Sequence, residues 1–227
     1  MLFLQGGLAK AAAGSNLKSM ENMDQLITTC FDLFGTVIFA ITGAARGVKA
    51  KLDLLGVIVL SCTVGVGGGF IRDALIGATP AAALVNENYL VLCVITGVVV
   101  FIFAKRVVYA SSTIITVCDA IGLGVYTVFG VNKGMLYGLS PIGVVLSGVV
   151  TAVGGGVLRD LMVGEIPVVL KSDFYATASL IGGALYIFAS MTCLPFLVQF
   201  LSVSLFVTAI RLLAYHYKLQ LPHPGDE

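Results

Sequence analysis

GGGFIRDALIGATP at residues 67–80 returns as GGGVLRDLMVGEIP at residues 154–167, and both fit the pattern GGGxxRDxxxGxxP. The offset is 87 residues (154 minus 67), and it extends upstream without a gap: Asp32, Gly35, Gly43, Gly47 and Gly56 fall on Asp119, Gly122, Gly130, Gly134 and Gly143. Chance does not place so many glycines and charges at one offset, so the chain is an internal duplication.

What surrounds the repeats is apolar. Of 227 residues, 58% are hydrophobic and 11% are charged, against about 25% charged in soluble domains. So few charges cannot cover a water-soluble globule, and the reading is an integral membrane protein of all-α class. A helix needs about 20 residues to cross a hydrocarbon layer of about 30 Å, and that ruler gives seven spans, near residues 26–45, 54–70, 89–104, 108–131, 141–158, 174–190 and 194–210. The charge-free run from 174 to 210 is too long for one crossing and must turn at 191–195. Each repeat holds three spans, so the second copy starts from the opposite side of the bilayer. The fold expected is therefore a 3+3 inverted repeat plus one, with residues 1–25 as an extramembrane arm, 26–106 and 107–192 as the repeats, 193–217 as the seventh helix and 218–227 as a tail.

Arg46, Lys49, Lys51, Lys105, Arg106, Lys171, Arg211 and Lys218 gather on one side, against Lys10, Lys18 and Lys133 on the other. The excess of basic residues marks the cytoplasmic face, which puts the C-terminus inside and the N-terminus outside. The short apolar start, MLFLQGGLA, is too brief for a secretory signal. A net charge of +1 excludes attraction of nucleic acid by a basic surface. Cys30, Cys62, Cys93, Cys118 and Cys193 stand in apolar stretches without a CxxC pair and read as small hydrophobic fillers. The histidines, His216 and His223, fall in the C-terminal segment, so no internal histidine relay is available and no metal or other cofactor is expected.

Three constellations carry the candidate chemistry. Gly67, Gly68 and Gly69, and their copies Gly154, Gly155 and Gly156, each cost about 1 kcal/mol within a helix; they permit either close helix packing or a break facing a wet path. Arg72 and Asp73, with Arg159 and Asp160, follow at or just beyond the expected membrane edge, either as fold-pinning ion pairs, the arginines with Asp73 and Asp160 or with Asp119 and Asp32 across the pseudo-axis, or as groups lining a water-filled cavity. Asp32, Gly35, Phe39, Gly43 and Arg46 step along one helical face, as do Asp119, Gly122, Tyr126, Gly130 and Lys133. Those faces suit tight packing or a pore wall with an acid at one end and a base at the other.

The doubled GGGxxRD motif on spans arranged three plus three plus one resembles the prokaryotic trimeric intracellular cation (TRIC) channels, which share a sequence family with proteins named as glycine transporters; the likeness covers about residues 32–213. The resemblance implies a homotrimer in the prokaryotic inner membrane, in contact with lipid, in which each subunit has its own path for monovalent cations, chiefly potassium. That path is lined by spans one, two, four and five and kinked at the glycine triplets. Animal relatives carry a Lys-Glu-Val signature for lipid-linked gating where this chain reads GGGVLRD. The alternative is a secondary transporter for glycine or a similar small zwitterion. No TVGYG-like carbonyl filter is present, and no nucleophile–base set marks an enzyme.

Overall fold

The computed structural model describes residues 2–104, 106, 112–171 and 174–219. Lys105, the expected start of a span at residue 108, the tail from residue 220 with His223, and the side chains of Lys10 and Lys18 lie outside the described residues. Among these residues every regular element is helical: α1 (Leu2–Lys49), α2 (Leu54–Ile76), α3 (Ala82–Val85), α4 (Asn88–Ile102), α5 (Ser112–Leu136), α6 (Pro141–Met162), α7 (Val168–Lys171), α8 (Ala176–Ser190) and α9 (Phe196–Tyr217). Five stretches are long and apolar enough to cross a membrane: Leu26–Lys49 within α1, α2, Ile115–Leu136 within α5, α6 and α9; α4 and α8 are shorter apolar helices. The chain turns between Ser190 and Phe196, where the charge-free run had to bend. The arm before residue 26 continues into the first span as one helix.

The duplicated motif sets the helix ends. Asp53 and Ser140 accept the amide N–H of Gly56 and Gly143 at 2.7 and 3.3 Å, capping α2 and α6. Past the C-termini of these helices, Gly77 and Gly164 both sit at φ 73°, a left-handed turn that glycine adopts without strain. Asp73 and Asp160 then cap α3 and α7, each accepting from the first amide of the short helix, Ala82 at 3.1 Å and Val168 at 2.8 Å. α1 packs on α2 and α5 on α6, α4 lies against α1 and α2, α8 against α5 and α6, and α9 covers α5.

The glycine triplets do not break their helices: α2 and α6 remain α-helical through all six residues. Their first two glycines form the crossing of α2 with α6. A Cβ on Gly68 would strike the Thr151 carbonyl, and one on Gly155 would stand 2.5 Å from the Val64 carbonyl, the same contact with the repeats exchanged. Gly67 faces Leu158 and Gly154 faces Ile71 in the same reciprocal way. Close approach outweighs the propensity cost because two backbones meet where no side chain fits.

Two further details emerge. The helices run on past both arginines, α2 to Ile76 and α6 to Met162, so that Arg72 precedes the last turn of α2 and Arg159 lies in the last turn of α6. Of the five cysteines, all free thiols, Cys93 is buried as a filler while Cys30 and Cys193 are exposed.

Candidate functional site

Buried charge collects at two separate ends. At the first, Asp73 Oδ1 accepts from Arg72 Nε at 2.8 Å and from Lys133 Nζ at 2.7 Å. Asp32, one turn before Thr36 on α1, accepts the Tyr89 hydroxyl from α4. The Arg72 guanidinium lies over the Phe129 ring at 5.1 Å, and its Nη1 finds no hydrogen-bond partner. Asp32, Gly69, Arg72, Tyr89 and Tyr126 enclose a cavity of about 20 Å³. A second cavity of about 210 Å³, walled by Asp32, Tyr89, Asn132 and Lys133, adjoins it.

At the other end one cation serves two carboxylates. Arg159 donates from Nε to Asp160 at 2.9 Å, and from Nη1 to Asp119 at 2.8 Å and to Thr42 Oγ1 at 3.3 Å. Arg159, Asp119 and Asp160 line a cavity of about 130 Å³ together with Arg46, Lys49 and Arg211. Arg211 stacks over Tyr175 at 4.7 Å, and at the rim Arg46 pairs with Glu165. That rim pair leaves Arg46 29% and Glu165 47% exposed, and exposed pairs contribute about 1 kcal/mol or less. Glu165→Gln is expected to leave the thermal unfolding midpoint in detergent nearly unchanged, whereas loss of a buried partner lowers it clearly.

Phe39 and Tyr126 fill the space between. Each lies seven residues from the aspartate that begins its face, about 10 Å along the helix axis. Both are buried, their rings 5.1 Å apart. Phe39 lies against Gly122 and Tyr126 against Gly35, again one contact exchanged between repeats. The Tyr126 hydroxyl is 2.6 Å from Thr36 Oγ1. At the third glycines a Cβ would meet the arginines only at ordinary contact distance, Arg72 Nη2 3.6 Å from Gly69 and Arg159 Nη2 3.7 Å from Gly156, where the Tyr175 hydroxyl is nearer at 3.0 Å.

The structure thus brings together Asp32, Arg72, Asp73 and Lys133 at one end, and Asp119, Arg159, Asp160 and Arg46 at the other. Sequence reasoning missed Tyr89, Tyr175, Thr42, Glu165 and the inward role of Arg211. Tyr89 and Tyr175 repeat at an offset of 86, not 87 (175 minus 89), because the loop after Pro167 is one residue shorter than that after Pro80. Among the described residues no three of His, Cys, Asp or Glu group as metal ligands.

The sequence model of a family described as Glycine transporter matches residues 29–105 and 116–191. A crystal structure of the TRIC trimeric intracellular cation channel orthologue from Rhodobacter sphaeroides is 32% identical, with a TM-score of 0.79 over 85% of this chain and 99% of that one. The chain belongs to this TRIC and glycine-transporter family. Two other relatives are the UPF0126 membrane protein of Vibrio cholerae, 38% identical over 88% of this chain and 84% of its own, and the UPF0126 inner membrane protein YadS of Escherichia coli, 35% identical over 84% of this chain and 93% of its own. This TRIC-family chain is accordingly a multi-pass membrane protein of the bacterial inner-membrane type.

Proposed function

We propose that the protein is a channel for monovalent cations, chiefly potassium, assembled as a homotrimer with one path in each subunit. Seven spans form the subunit as a 3+3 inverted repeat plus one, with the N-terminus outside and the C-terminus in the cytoplasm. The path runs along α1, α2, α5 and α6, from the Asp32 cavities past Phe39 and Tyr126 to the Asp119 cavity. The observation that supports this most is two charged cavities divided by one aromatic layer, in a chain similar to a solved cation channel. The glycine triplets act in it as crossing points that hold α2 and α6 together, and Arg72 and Arg159, each beside a cavity, help set conductance.

Purified protein in planar bilayers should pass single-channel potassium and sodium currents, with no saturable glycine uptake in liposomes. The opposite pair of results would establish the second reading, a glycine transporter, which the family description favours. Because Phe39 and Tyr126 fill the narrowest region, Phe39→Ala is expected to raise unitary conductance or open probability. It costs about 3–5 kcal/mol of stability, as large-to-small core substitutions do. Recordings matched to a thermal melt of the same preparation check both halves of that expectation.

A further inference from the structure

The two arginines are held alike. Each donates from Nε to the aspartate that follows it, at 2.8 Å for Arg72 and 2.9 Å for Arg159. Each also brings Nη2 to ordinary contact distance, 3.6 and 3.7 Å, from where a Cβ on its third glycine would stand. What differs is what surrounds them. At Gly156 that point has the Tyr175 hydroxyl at 3.0 Å and Asp119 Oδ1 at 4.0 Å, whereas neither Asp32 nor Tyr89 comes within 4 Å of the matching point on Gly69. At this first end the aspartate and the tyrosine stand back, and with Gly69 and Arg72 they wall the cavity of about 20 Å³.

At each end an arginine Nη1 and a tyrosine hydroxyl face one carboxylate, and at each only one of them binds it. Arg159 Nη1 binds Asp119 at 2.8 Å, and the Tyr175 hydroxyl nearby completes no hydrogen bond. The Tyr89 hydroxyl binds Asp32, and Arg72 Nη1 completes none. Phe129 stands where the repeat places Thr42, so Arg72 lacks the hydroxyl that Arg159 Nη1 also uses. Asp73 is taken by Arg72 Nε and Lys133, which leaves Asp32 as the other carboxylate lining that cavity. Either arrangement strands one buried polar atom, so neither has a large advantage, which is the condition for an element with two populated states.

We propose that Asp32, Arg72 and Tyr89 are a gate at their end of the path, open in the structure, which closes when Asp32 passes from the Tyr89 hydroxyl to Arg72 Nη1. The closed form is the arrangement that Asp119 and Arg159 hold at the other end. Closure carries Asp32 on α1 and Tyr89 on α4 against Gly69 on α2 and fills the cavity between them. The inference rests on the cation-channel reading.

Single-channel recordings of the parent, Tyr89→Phe and Gly69→Ala test it, each beside a thermal melt of the same preparation. Tyr89→Phe removes the bond of the open arrangement and should lower the ratio of open to closed time about tenfold, the factor that one hydrogen bond to a charged group carries. Gly69→Ala acts on the other state. Its Cβ meets Arg72 Nη2 at an ordinary 3.6 Å in the open arrangement, while the closed one would press the Tyr89 hydroxyl on it as closely as the 3.0 Å at Gly156. It should raise the same ratio about fivefold, because the overpacking falls on the closed state alone, and leave the melting point undiminished. A general loss of packing does not give opposite shifts in two variants. A ratio that does not fall in Tyr89→Phe, or does not rise in Gly69→Ala, overturns the gate. Should Tyr89→Phe fail to assemble, Gly69→Ala decides alone. A parent that passes no cation current overturns the channel reading and the gate with it, whereas a conducting parent with unmoved variants overturns the gate only.

Discussion

Gly68→Ala and Gly155→Ala are each expected to destabilise the protein by about 2 kcal/mol, although alanine is the better helix former by about 1 kcal/mol. The added methyl group meets a main-chain carbonyl of the other helix, Thr151 for one and Val64 for the other. A carbonyl cannot rotate away as a side-chain tip can, so the helices must separate, and overpacking of this kind costs about 1–3 kcal/mol before the packing of Leu158 and Ile71 is lost. The double variant should cost less than the sum of the two, because the first methyl already opens the crossing. Gly69→Ala is the control: its nearest neighbour is Arg72 Nη2 at 3.6 Å, and it should be neutral or stabilising by up to about 1 kcal/mol. Thermal or SDS unfolding in detergent measures all four. A tolerated Gly155→Ala would remove the close crossing as the reason for the triplets.

Arg159→Gln is expected to be the costliest of the charge substitutions, at about 3–5 kcal/mol, the loss typical of stranding a buried charge. It leaves Asp119 and Asp160, at 5% and 1% exposure, without their shared cation. The matching change at Arg72 should cost less, since Asp73 keeps Lys133 and the Ala82 amide. Arg72→Ala should therefore assemble and show altered unitary current. Adding Asp119→Asn to Arg159→Gln should recover part of the loss by discharging one stranded carboxylate. Equal melting points for the two arginine variants would contradict the unequal pairing.

Much of this arrangement was legible because a duplication compares the chain with itself. Asp32 with Asp119 and Arg72 with Arg159 follow from one offset, and so do the matching places of Phe39 and Tyr126 on their two helical faces. The span ends were misplaced because a charge in an apolar run reads as the edge of the hydrocarbon, and only the fold supplies Lys133 to Asp73 or Asp119 to Arg159. Packing and a break both stayed open at the triplets for a related reason. Propensity records what a glycine costs its own helix, while the benefit lies 87 residues away on another. Tyr89 and Tyr175 escaped because a one-residue difference in a loop ends the gapless register just before them. Arg211 escaped because α9 has no copy to compare it with.

The reciprocal crossing of α2 and α6 also binds the history of the two halves. Residue 68 is limited by residue 151 and residue 155 by residue 64, so neither copy accepts a larger residue there unless the other yields. At the crossing the halves of this single chain constrain each other as the subunits of a symmetric dimer do. At the two ends the exchange is looser, Lys133 of the second copy meeting Asp73 of the first and Arg46 of the first meeting Glu165 of the second, and there the first aspartates have diverged, Asp32 accepting from Tyr89 and Asp119 from Arg159.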